Sequence, residues 1–259
     1  MTRLKLLGLN SLFSLMIYIT LILVTLFYLY PPPFFSTDGG LQGVRLIIAI
    51  DLVLGPVLFF LVYKKDKQKL KNDFLILSTI RLLALVVGVW VVFHERPVAV
   101  VFTENRFSTL TAYQLNSAIT PEKLRSFDNM SPAWIFSNLP EDIDEMQDLR
   151  AEALQSAKPI AHFHEYYQRI GQPEIEKIAN ATIKMDSWLT DKQLASNLYQ
   201  EFLGMHPDHA KNFIYYPWNA RHSRHIIVLN RHDLSYVAML EIISPSAKDE
   251  KLVTEQIDK

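Results

Sequence analysis

Three nearly charge-free apolar runs constrain this chain before any other feature does. Leu6 to Tyr30 carries no charge over twenty-five positions, Leu46 to Tyr63 carries only Asp51, and Phe74 to Phe93 carries only Arg81. About 20 apolar residues of helix cross a bilayer core, and soluble proteins rarely keep a helix greasy on every face for so long. The sequence therefore predicts a membrane protein with three transmembrane α-helices, over about 6–30, 44–63 and 73–93, in a transmembrane domain of residues 1–96. The first run is too long for a cleaved leader. Pro31-Pro32-Pro33-Phe34-Phe35 follows it where a cleavage site needs small residues, so it is expected to stay as an anchor.

Orientation follows from the positive charges. Arg3 and Lys5 precede the first run, and Lys64, Lys65, Lys67, Lys69 and Lys71 lie between the second and third. The segment from Pro31 to Gly43 has neither Lys nor Arg. Positive flanks stay cytoplasmic, so the expected placement is the bacterial inner membrane, multi-pass, with the N-terminus cytoplasmic and everything after Phe93 periplasmic. Asp51 and Arg81 are costly at membrane depth and call for partners. Counted along their helices they sit ~18 Å and ~12 Å from the cytoplasmic ends. An ion pair between them is one reading; a polar group on a client helix meeting one of them is the other.

Composition breaks near Arg96. Up to that residue ten Lys and Arg face five Asp and Glu; beyond it sixteen face twenty-two, so the net charge of -1 describes neither part. No basic patch interleaved with aromatics points to nucleic acid. The absence of cysteine excludes thiol catalysis, Cys-based zinc sites and disulfides.

The remainder is expected to form a periplasmic α+β domain over 97–246, followed by a polar C-terminal tail over 247–259. Glu95-Arg96-Pro97 ends the third helix, and Val98 to Phe102 reads as a strand. Pro140-Glu141-Asp142 looks like a helix start, with Ile143, Met146, Leu149, Ala153 and Leu154 on one core-facing stripe. Thr190 and Gln193 have capping-box spacing for a second helix, whose stripe is Leu194, Leu198, Phe202 and Leu203 and whose stop is Gly204. His225 to Asn230 and Ser235 to Ile243 read as a hairpin. Strands are thus expected at the two ends of the domain and helices between.

For chemistry, His162-Phe163-His164 and His206-Pro207-Asp208-His209 invite a metal reading. Neither supplies the Glu of a His-Glu-x-x-His site, and Pro207 disfavours a helix there. Arg221, His222, Arg224 and His225 form a basic knot that reads as a solvated turn. Phosphate loops and Gly-x-Ser-x-Gly are absent from the sequence. The residues give no positive evidence for an enzyme, a cofactor or a metal site, and triads that scatter along a chain leave an enzyme open at this point.

The stretch with most content runs from Phe35-Ser36-Thr37-Asp38-Gly39-Gly40-Leu41-Gln42-Gly43 into Asp51-Leu52-Val53-Leu54-Gly55-Pro56. Paired glycines permit a tight turn, and Gly55-Pro56 implies a kink. These residues, with the Arg96-Pro97-Val98 junction and Asn105-Arg106-Phe107, resemble type IV pilin accessory proteins of the TfpX/TfpZ kind over about the first 107 residues. The resemblance implies a non-catalytic inner-membrane helper for a cognate major type IV pilin, in contact with the bilayer and the pilus assembly machinery and serving twitching motility. Asp38, Gly39, Gly40, Gln42, Gly43, Asp51, Gly55, Pro56, Arg81, Arg96 and Pro97 are then the candidate partner-contact or structural residues. A membrane-tethered periplasmic ligand-binding or sensor module is the alternative.

Overall fold

The structure is a computed structural model. It describes residues 16–50, 70–115, 119–183, 185, 193–206, 212–221 and 224–241, with side chains of the long helix described at 76, 79, 80 and from 82 onward. The chain divides into two compact units, Met1–Pro97 with Thr111–Tyr113, and Val98–Leu110 with Gln114–Lys259.

The first unit is helical. Residues 16–24 form α1, which continues into a π-turn at Thr25–Leu29; a four-residue helix α2 spans Phe34–Thr37, residues 40–50 form α3, and α4 spans Leu70–His94.

The three-span expectation is corrected here. Among the described residues, no helix is long and apolar enough to cross a membrane. The first apolar run does not continue as one regular helix: it winds into the π-turn at Thr25 and breaks at Tyr30 before the Pro31–Pro33 turn. Apolar positions that the sequence assigned to lipid are partly spent on helix–helix packing, with Val44, Ile47 and Val92 buried. Others, Leu83, Val87 and Trp90 among them, stay exposed. The multi-pass inner-membrane placement, with its cytoplasmic and periplasmic sides, rested on those spans and falls with them. Asp51, Gly55, Pro56 and the Arg81 side chain lie outside the described residues, and so does their proposed pairing.

The second unit is built on a seven-stranded mixed sheet in the order β4-β3-β1-β2-β5-β6-β7. The strands are β1 Pro97–Thr103, β2 Arg106–Thr111, β3 Ala133–Ser137, β4 Tyr167–Arg169, β5 Phe213–Asn219, β6 Arg224–Asn230 and β7 Tyr236–Glu241. Between them lie α5 Ala112–Leu115, α6 Pro121–Phe127, α7 Ile143–Ser156, α8 Gln172–Asn180 and α9 Gln193–Met205. Strands therefore recur along the unit, which corrects the picture of strands at its two ends only. β1 pairs parallel with β3, and β2 parallel with β5; β3–β4, β5–β6 and β6–β7 are antiparallel.

Local chemistry explains several of these elements. Glu104 and Asn105 both have positive φ, 46° and 57°, as a two-residue type I′ hairpin turn requires. β1 and β2 are thus joined tightly, and Asn105 of the Asn-Arg-Phe motif is a turn residue. Pro217 would weaken a strand's ladder. In β5 the Tyr215 N–H turns away from β6 to the Thr182 hydroxyl at 2.9 Å. Two residues on, the missing N–H of Pro217 falls on that same side, and the β5–β6 ladder stays whole. Asp142 caps α7, accepting from the N–H groups of Asp144 at 2.9 Å and Glu145 at 3.1 Å. Pro140 and Glu141 lie ahead of the helix, one turn earlier than their predicted place in it.

One sheet face packs Ala99, Val101, Ala133 and Ile135 against Leu124 of α6. An aromatic group carries Phe102 against Phe136 at 5.8 Å and Tyr216 at 5.1 Å, with Phe107 and Trp134 against Trp218. Fully burying such side chains contributes about 1.5–3 kcal/mol each. Toward β7, Tyr199 and Phe202 of α9 cover Tyr215, Ile226 and Val228. Gly204 lies inside α9, which runs on to Met205, and the Thr190 cap lies outside the described residues. The predicted stripe of α7 is also narrower than expected: Leu149 is buried, but Ile143 and Leu154 are 72% and 82% exposed.

Candidate functional site

The Phe35–Gly43 motif folds into a turn that buries Thr37 and Asp38. The π-turn closes with the Tyr30 N–H on the Thr25 carbonyl at 2.7 Å, and the Phe34 N–H reaches the Pro31 carbonyl at 2.9 Å. After α2, Gly39 takes φ 102°, a conformation that favours glycine, and the chain reverses into α3. Asp38 is 1% exposed and accepts a 2.6 Å hydrogen bond from the Thr37 hydroxyl. Burying a carboxylate is tolerable only with such donors. Gln42 is exposed on α3.

The other glycines are contact glycines. A Cβ on Gly40 would lie 2.9 Å from both the Tyr30 and Phe35 rings, and one on Gly43 would lie 2.7 Å from Val92 Cγ2. Gly88 is the counterpart on α4, where a Cβ would meet Ile47 at 2.8 Å. The two helices approach backbone to side chain through these gaps.

Side chains also close the C-terminal end of α4, where carbonyls lack helical partners. The Tyr30 hydroxyl donates to the Val92 carbonyl at 3.1 Å, an Arg96 guanidinium N–H to the Phe93 carbonyl at 2.6 Å, and His94 Nδ1 lies 2.9 Å from the Trp90 carbonyl. Arg96 also stacks over the Phe93 ring at 3.8 Å, and burial holds its pKa below the usual arginine value. The backbone of Arg96 accepts from the Ala112 N–H at 2.9 Å, and Pro97 begins β1.

The structure thus brings Asp38, Gly39, Gly40 and Gly43 into one packed turn and puts Arg96 at the α4 end that Tyr30 also caps. Tyr30, Ile47, Gly88 and Val92 were missed from sequence. A glycine at position 88 inside an apolar run was the available signal. Chemically the arrangement buries Tyr30 and Asp38 and ties helix ends together by hydrogen bonds.

Among the described residues the histidines do not converge. His162 lies in a short 3-10 turn, its Nδ1 buried without a hydrogen-bond partner among the described residues, and burial pushes its pKa down. His164 lies 3.5 Å from Glu165. His206 stacks on Phe202 at 4.5 Å with Nδ1 3.0 Å from the Phe202 carbonyl. His225 is buried on β6, opposite Glu241 in register. Among the described residues no group of three or more His, Asp or Glu could hold a metal ion. His209 and His222 lie outside the described residues.

Fold and turn together define a two-unit α/β protein with a packed Asp38-Gly39-Gly40 turn in its first unit. No family model matches the chain, and no solved structure is significantly similar to it. Its relatives are fimbrial. A Dichelobacter nodosus protein named fimbrial assembly protein, serogroup I, is 32% identical over 126 residues, which are 48% of this chain and 49% of that protein. The serogroup E1 protein is 30% identical over 126 residues, again 49% of its length. The fimbrial assembly protein of serogroups C1 and C2 is 35% identical over 101 residues, 38% of this chain and 76% of that protein. The chain belongs to this family of fimbrial assembly proteins. It spans about half the length of the serogroup I and E1 relatives.

Proposed function

We propose that this protein is a non-catalytic accessory factor, of the TfpX/TfpZ kind, that assists assembly of a cognate type IV pilin by direct protein contact. The observation that carries the reading is the 35% identity across 76% of a fimbrial assembly protein. The Phe35–Gly43 and Asn105–Phe107 motifs support it: both are turn-forming elements whose residues position helices and strands. A helper of this kind holds a subunit in an assembly-ready state and leaves its covalent structure unchanged. The major pilin is its client, and the pilus assembly machinery receives the product.

Deleting the chain should reduce surface pili counted by electron microscopy, with restoration by the intact gene in proportion to its expression. Tagged pilin should capture the protein, and pilin isolated with and without it should have identical mass. Normal pilus numbers in the deletion strain would remove the accessory role; a mass change in pilin dependent on the protein would remove the non-catalytic one.

A further inference from the structure

We draw no further inference here: the strongest candidate, the exposed apolar face of α4 that carries Ile76, Ile80, Leu83, Val87 and Trp90, is a helix face for which nothing in the structure shows what covers it.

Discussion

Two threonines one hairpin apart should respond to the same substitution with opposite signs. Thr103 at the end of β1 is 4% exposed, and its hydroxyl has no hydrogen-bond partner among the described residues. Thr109 in β2 accepts a 3.0 Å hydrogen bond from Nε1 of the fully buried Trp218. Valine keeps the shape and β-branching of threonine and removes only the hydroxyl. At 103 the change deletes a polar group that folding strips of water without recompense. An uncompensated hydroxyl costs roughly 1–3 kcal/mol in proteins, so Thr103→Val should stabilise by about 1 kcal/mol. At 109 it orphans a buried indole N–H, a loss of about 1–3 kcal/mol, so Thr109→Val should destabilise by about 2 kcal/mol. With a urea slope of about 2 kcal/mol/M, the two midpoints should move about 0.5 M up and about 1 M down. The assay is urea unfolding of the full chain, read by hydrogen exchange of the β1–β2 and β5 peptides so that the helical unit does not mask the sheet. A Thr103→Val protein less stable than the parent, or a Thr109→Val protein of equal stability, would refute the hydrogen-bond accounting behind both numbers.

Three further outcomes are expected. Ala157 ends α7 with φ 52°, and the Lys158 N–H returns to the Ala153 carbonyl at 3.0 Å; Ala157→Gly should raise stability by up to about 1 kcal/mol in thermal unfolding, because glycine adopts that conformation without a Cβ clash. Gly43→Ala and Gly88→Ala each force a methyl to within 2.8 Å of Val92 or Ile47, and each should cost about 1–3 kcal/mol by overpacking, seen as faster exchange in α3 and α4. His162 should titrate below its ordinary value of 6.5, chiefly because burial disfavours its charged form. The unfolded chain then takes up that proton more readily than the folded one. The contribution of His162 is therefore fully present above pH 6.5 and lost as pH falls from there through the depressed folded value; His162→Asn should flatten that limb of the stability profile.

Much of the second unit was written in local signals. Val98 to Phe102 marks β1, Asp142 with its following acids marks the start of α7, and the two β-branched runs around Arg231–Leu234 mark the β6–β7 hairpin. The aromatic run from Ala133 to Ser137 is an equally local signal for β3, whereas Arg106 to Thr111, with Phe107 and Leu110 three apart, lacks the two-residue period of a half-buried strand. The Asp38-Gly39-Gly40 turn was legible as a turn, because a positive φ at Gly39 is a one-residue property. That Gly43 and Gly88 are contact points was not legible, since the need for a missing Cβ arises on a helix far away in sequence.

The sequence by itself determined where strands, caps and turns form, because those depend on side chains within a few residues of each other. Tertiary structure alone decided three things. It set β2 parallel to β5 across more than a hundred residues of chain, left Ile143 and Leu154 outside the core that their spacing predicted, and ended the first apolar run in a π-turn. The physical reason is common to all three. An apolar residue gains free energy from any surface that excludes water, so its presence reports that something must cover it and is silent about what does.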